Sequence, residues 1–451
     1  MLQVVLSKMV VKKVNKFLNQ KGSIAIMMVI TAVILITPVV VNFTFDTNIA
    51  KLKVYNIEQK AKAKLTAESG LKFAMARLRL YKEAYNYVQN NKALKDSVKP
   101  QILDMLWNFP FIYPVPITNK TSLIQKQGLE KFHEEVKLDG NLTLSIANIS
   151  NKINLNMVRI SLLNETEKKR DPNYQPPTED EMKFSVESQL FTALKNGIDA
   201  KLLVDDVFNA KHSGIEVNNL VDILKLNITD PVAAETMENS QMSLFQDQNS
   251  QPKYSPFMSF SEVYTLPEWS DDLVALVENE FTVHGAMMID LNQITDKMLK
   301  LLFPEITEDE SAEFFKYKND PDDPKHFNST DEFKNYVVNI GHLMKESEFD
   351  TLMANFKKLG VQFGPTPTLF KIISSAKLER GSYTITAYVT IPTQPEPRKQ
   401  VQNTENQTST QTPQTPENPS TPQPPAAPQT PEKPETKTLL LNPRIVEITV
   451  S

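Results

Sequence analysis

The stretch Gly22–Phe45, GSIAIMMVITAVILITPVVVNFTF, carries no charged side chain, and its flanks decide what it is. Its most apolar part, Ile24–Val41, is about 18 residues long. At about 1.5 Å of rise per helical residue that is roughly 27 Å, close to a bilayer hydrocarbon core of about 30 Å. A secretory signal has a shorter apolar core with a small-residue cleavage site after it. Here the boundary that stands out lies before the apolar run. A basic leader (Lys8, Lys12, Lys13, Lys16, Lys21) ends in Gly22, and the apolar helix begins at Ser23. The far flank (Lys51, Lys53, Lys60, Lys62, Lys64) is as basic as the leader, so charge bias does not orient the span. Pro38 inside it predicts a kink and a freed carbonyl that a neighbouring helix would help to satisfy.

Working outward, Asn48–Tyr87 contains no proline and is rich in Ala, Leu, Lys and Glu, which predicts that the helix continues. Leu65, Leu71, Met75 and Leu78 suggest its apolar stripe. Between Ser97 and Asp139 the aromatic cluster Trp107–Pro114 reads as a packed loop. Leu142, Leu144 and Ile146 alternate with polar residues, as in a half-buried strand, and Ile149–Asn156 continues in that style. Glu165–Glu181 reads as loop, Glu187–Leu226 as short helices, and Thr229–Ser255 as irregular. Ser270–Glu280 reads as helix and Phe281–Val283 as a short strand. Thr295–Phe315 reads as a helix-turn-helix, with Pro304 in the turn and a capping box of Thr307 and Glu310. Phe370–Ile391 gives two strands turning at Gly381-Ser382. Pro392–Lys437 is too poor in apolar residues to offset its own ordering and reads as a disordered linker. Arg444–Val450 alternates again, so the last strand closes a hairpin whose loop has been lengthened, at a cost that grows only logarithmically.

The chain has 451 residues, 40% hydrophobic, with a net charge of -5, which implies no bulk attraction to nucleic acid or anionic membrane. It has no cysteine, which excludes disulfides, thiolate metal sites and a cysteine nucleophile. There is no nucleophile elbow, Walker loop or dinucleotide-binding glycine motif, and the 5 histidines are scattered. Asp271-Asp272 and Asp320, Asp322, Asp323 are acidic clusters read as solvated surface. The turn Phe303-Pro304-Glu305-Ile306 is acidic and lacks glycine, which argues against a DNA-binding hairpin. An internal echo links Lys152-Ile153-Asn154-Leu155-Asn156 and Met288-Ile289-Asp290-Leu291-Asn292, and it is not read as a repeat.

The basic leader, Gly22 and the attached apolar helix together resemble a type IV prepilin signal. That resemblance implies cleavage between Gly22 and Ser23 by the prepilin peptidase, with methylation of the new N-terminus. Met27 stands where pilins carry a glutamate. Its absence, with Ala67-Glu68-Ser69-Gly70, Ile153-Asn154-Leu155-Asn156 and Ile289-Asp290-Leu291-Asn292, resembles the K-type minor pseudopilins of type II secretion. The implied fold is α+β: a long transmembrane, pilin-like helix on a small antiparallel sheet, with an inserted or adjoining mainly helical domain. The corresponding division is leader 1–22, span 23–45, helix continuation 46–96, pilin-like part 97–165, helical domain 166–345, returning sheet 346–391, linker 392–437 and final strand 438–451. The implied role is non-enzymatic, at the tip of a periplasmic pseudopilus anchored in the inner membrane. Its implied partners are the other minor pseudopilins, the major pseudopilin, the prepilin peptidase, the inner-membrane secretion platform, and secretin or cargo, with no nucleic acid. Alternatives are an adhesive minor pilin of a type IV pilus and a membrane-anchored periplasmic enzyme. The family's calcium site is matched here by Asp222 alone, with Leu224 and Lys225 where further acids are expected, so calcium is the one cofactor the resemblance offers and most of its ligands are absent.

Overall fold

A computed structural model describes residues 21–95, 98, 100–117, 122–159, 178–229, 251–285, 288–322, 324–394 and 439–451. Residues 1–20 of the basic leader, most of the 165–181 loop, residues 230–250 and nearly all of the proline-rich linker lie outside the described residues. The chain divides into two compact units. One comprises residues 1–69, 112–142 and 375–384, and the other residues 70–111, 143–374 and 385–451.

Helix α1 (Lys21–Asn90) is a single 70-residue element that continues through Pro38. In the first unit Ala63 and Ala67 are fully buried, while Leu65 is 63% exposed. In the second unit the same face continues with Leu71, Ala74, Leu78 and Tyr81 buried. The buried stripe therefore mixes small residues with large ones at helical spacing: Leu71 and Leu78 belong to it as the sequence suggests, Met75 is half-buried, and Leu65 does not belong to it. Small side chains let a neighbouring backbone come close. In the first unit a Cβ placed on Gly381 would lie 2.8 Å from the Gln59 carbonyl carbon, so only glycine fits that turn. Thr66 Oγ1 also donates to the Asp139 carbonyl at 3.0 Å.

The main sheet has five strands in the order β1 (Phe111–Tyr113), β2 (Asn141–Asn148), β7 (Leu369–Lys377), β8 (Ser382–Thr390), β9 (Arg444–Val450). Strand β9 pairs antiparallel with β8, with Ala387 opposite Ile448 and Tyr388 opposite Glu447. The aromatic cluster is not a loop. Trp107 closes helix α2 (Pro100–Asn108), Phe111–Tyr113 is an edge strand, and helix α3 (Leu123–Val136) follows with a Ser122/Gln125 capping box. Trp107 is placed by its chemistry: its indole N–H donates to Asp104, and its ring meets Phe370 at 5.2 Å and Tyr81 at 6.5 Å.

Strand β2 does not run on through Asn156. Ser150 is fully buried and ends it. Its Oγ accepts from the N–H groups of Thr368 and Leu369, both at 2.8 Å. Ile153–Asn154 (β3) instead pairs in parallel with Phe281–Thr282 (β4), and Ile289–Asp290 (β5) pairs in parallel with Phe363–Gly364 (β6). Between these strands lie helices α4 (Val186–Val204), α5 (Asp206–His212), α6 (Val217–Ile228), α7 (Asp271–Val277), α8 (Asp296–Leu302), α9 (Glu308–Lys318), α10 (Thr330–Asn335) and α11 (Glu346–Lys358). They enclose one apolar core that includes Leu190, Leu224, Val274, Leu299, Phe314 and Phe333. Phe349 and Phe356 of α11 also belong to that core, so the helical part extends past residue 345, where the sequence suggested a return to sheet.

The echo between the two motifs is structural after all. Asn154 and Asp290 each accept the backbone N–H two residues on, at 3.0 and 2.9 Å. Leu155 and Leu291 are both fully buried. Asn156 clamps the backbone of Phe257, donating to its carbonyl at 3.0 Å and accepting from its N–H at 2.8 Å. Asn292 clamps Phe327 in the same way, at 3.0 and 2.8 Å. Two residues beyond each clamped Phe stands a capping serine: Ser259, followed by Glu262, and Ser329, followed by Glu332. Glu262 accepts the N–H of Met258, and Glu332 that of Asn328. The helical part is thus two halves of one plan, Ile153–Thr282 and Ile289–Gly364.

Candidate functional site

The functional surface the sequence points to is the outer portion of α1. From Ala25 to Thr47 every side chain is exposed, in a run that is long and apolar enough to cross a bilayer. In water such a surface would be strongly unfavourable, so lipid or another helix must cover it. The threonine hydroxyls inside the run are satisfied within the helix. The hydroxyls of Thr31, Thr37, Thr44 and Thr47 donate to the carbonyls of Met27, Val33, Val40 and Phe43 at 2.7–2.8 Å. This removes the cost of placing unpaired hydroxyls in hydrocarbon. Gly22 and Ser23 lie in the first turn of the helix, and Met27 is 66% exposed on its surface.

Beyond the span, α1 is the frame for the second unit. Tyr85 shares a hydrogen bond with Thr366 at 2.9 Å. Arg77 donates to the carbonyls of Leu106 and Trp107, the last turn of α2. Asn86 donates to and accepts from the backbone of Leu440, both at 2.8 Å. That pair fixes the chain where it returns after residues 395–438. Strand β9 is fastened further on. Glu447 lies 2.7 Å from His284 Nε2 and accepts from the Ser259 hydroxyl at 2.6 Å. His284 also meets the Tyr388 ring at 4.6 Å. Burial pushes the His284 pKa down, against the opposing pull of Glu447.

The sequence motifs fall in three places. Ala67 and Gly70 lie on the buried face of α1, with Glu68 and Ser69 flanking it; the Ser69 hydroxyl bonds back to the Leu65 carbonyl. The two Asn-containing motifs are the clamps of the helical halves. Asp290 is 2% exposed, accepts from Asn148 at 2.6 Å, and burial raises its pKa to about 7. Burial likewise raises Asp104 to about 6.

Asp222 sits on α6. Lys225, three residues on, is committed to Glu187 at 2.9 Å. Among the described residues no group of three or more His, Cys, Asp or Glu side chains is placed to hold a metal ion. Asp320 accepts the N–H of Asp322 in a local turn, and Asp272 pairs with Lys211 at 2.9 Å. Sequence reading missed the clamp role of Asn156 and Asn292 and the fastening of β9 through Glu447. The first had a signal, Phe-x-Ser-x-x-Glu at 257–262 and again at 327–332.

No protein-family model matches this chain, and no curated protein does. Among solved structures it is similar to a chain in the crystal structure of the GspK-GspI-GspJ complex from the type 2 secretion system of enterotoxigenic Escherichia coli. The two are 13% identical with a TM-score of 0.46, over 75% of this chain and 94% of that one.

Proposed function

We propose that this chain is a K-type minor pseudopilin of a bacterial type II secretion system. It caps or initiates the periplasmic pseudopilus and contacts sibling subunits below and secretin or cargo above. One observation carries the reading. A single unbroken helix exposes a bilayer-length apolar run and, further along, buries a stripe of side chains in a folded body. A simple membrane anchor needs no such continuity, whereas a pilin-like subunit does, because the same helix serves in lipid and then among its siblings. The basic leader ending at Gly22 supplies the processing signal. Met27 in place of a glutamate suits a subunit with nothing stacked above it. The work is contact, and no turnover chemistry is invoked.

The test is deletion of the chain in its host, with type II-dependent exoprotein export and surface piliation measured side by side. The proposal expects export to fail and piliation to persist. Lost piliation with intact export would move the chain to a type IV pilus, and neither effect would remove it from both machines.

A further inference from the structure

Helices α8, α9 and α11 enclose an open groove of about 490 Å³ in the second half of the helical part. Its walls are apolar. Phe184, Ile306, Leu343, Met344 and Leu352 line it, and all five remain only partly buried although they pack against the core. One wall is the face of α11 that carries Ser347, Thr351 and Asn355, spaced four residues apart, which makes it roughly 12 Å long. The charged side chains lining the groove are Glu305, Glu310 and Glu348, all acidic. Glu310 is turned to its helix cap at Thr307, and Glu348 has Lys345 at 3.6 Å, whereas Glu305 at the mouth is exposed and feels Lys183, whose own ion pair is with Asp180.

An apolar trough of two helical turns with an acidic mouth selects a definite chemistry. It offers burial to a short row of apolar side chains at i, i+4 and i+7, and it favours cations beside them. Anionic headgroups are repelled, so a lipid surface does not fit. We propose that this groove is a docking site for an amphipathic segment of another protein, presenting apolar side chains on one face and lysine or arginine at its flank. This surface is separate from the membrane helix, and the inference does not depend on which secretion or pilus machine the chain serves.

The test uses the full chain in zwitterionic nanodiscs, with empty nanodiscs subtracted. The probes are two fluorescent model helices, one of leucine and lysine, one of leucine and glutamate, followed by anisotropy. The leucine–lysine helix is expected to bind saturably, and more weakly as salt rises. Thr351→Trp, which fills the groove from an exposed position, should weaken it by about tenfold, the equivalent of one lost apolar anchor. Glu305→Lys should weaken it about threefold, as for an exposed charge pair. Val207→Trp, on an exposed apolar position elsewhere, should change nothing. Equal binding of both peptides, or indifference to Thr351→Trp, overturns the proposal. So does absence of peptide binding together with self-association that Thr351→Trp abolishes, which would assign the groove to a second copy of this chain.

Discussion

The two halves of the helical part share a plan and differ at one telling position. Where the first half has Asn154, the second has Asp290, and both accept the N–H two residues on. Asn154 carries no charge, whereas Asp290 is a carboxylate almost wholly out of water, held by Asn148 and the Asn292 backbone. The halves also differ in spacing: clamp and clamped Phe are 101 residues apart in the first and 35 in the second. The comparison shows that the clamp, not the intervening helices, is the invariant of the plan. A buried amide that satisfies both backbone groups of a distant residue can hold very different insertions, because each bond it makes replaces one that water would have made.

The largest expected effect concerns the charge. Burial, with a smaller contribution from Asp104, raises Asp290 from 3.8 to about 7, against the bonds from Asn292 and Asn148 and the attraction of Lys318. A group whose folded pKa lies above its unfolded value favours the fold while protonated. Its contribution is complete below about pH 4 and is lost as pH rises through 7. Buried His284 and half-buried His326 act with the opposite sign, since desolvation lowers both, His326 to about 4. The clean measurement is therefore the difference between wild type and Asp290→Asn in urea denaturation. The wild type should lose, relative to the variant, up to about 4 kcal/mol between pH 4 and pH 8. A difference independent of pH would mean that Asp290 is not buried as described.

Next come the clamps themselves. Asn292→Ala removes three hydrogen bonds, to the N–H and carbonyl of Phe327 and to the carbonyl of Pro365, and should cost about 3 kcal/mol. Asn156→Ala removes a matching set to Phe257 and Val283 from a less buried position and should cost about 2 kcal/mol. Trp269, buried in the first half and bonded to the Leu220 carbonyl, reports that half by fluorescence once Trp107 is replaced by Phe. If Asn292→Ala leaves the Trp269 signal of the first half in place while the second half melts, the halves are separable. A single shared transition would show that the common core couples them. The smallest effect is expected at the caps: Glu262→Ala and Glu332→Ala should each cost about 1 kcal/mol, the two being nearly equal.

Much of this was legible in the sequence. The unbroken first helix, the β7–β8 hairpin, the returning strand β9 and the Thr307/Glu310 cap all follow from hydropathy period and turn chemistry, whereas the α+β class was implied by the family resemblance. The misreadings have physical causes. The α1 stripe was legible at Leu71 and Leu78 but not at Leu65, and its remaining buried positions include Ala63, Ala67 and Ala74, whose individual hydrophobicity is too slight to reveal a period. Trp107–Tyr113 looked like a loop because Pro110 and Pro114 punctuate it, although a helix ends at Asn108 just before the first proline and a short strand fits between the two. The repeat was dismissed because its two halves are padded so differently that only scattered residues coincide: Leu155 and Leu291, Asn156 and Asn292, Ser259 and Ser329. The processing site at Gly22 and Ser23 remains a proposal that rests on the sequence motif.

The most direct test of the account is the mature N-terminus, read by mass spectrometry from cells with and without the prepilin peptidase. The account predicts a chain beginning at Ser23 only when the peptidase is present, and a chain retaining Lys21 and Gly22 when it is absent. A chain that keeps its leader in both strains would contradict it and leave α1 as an ordinary membrane anchor.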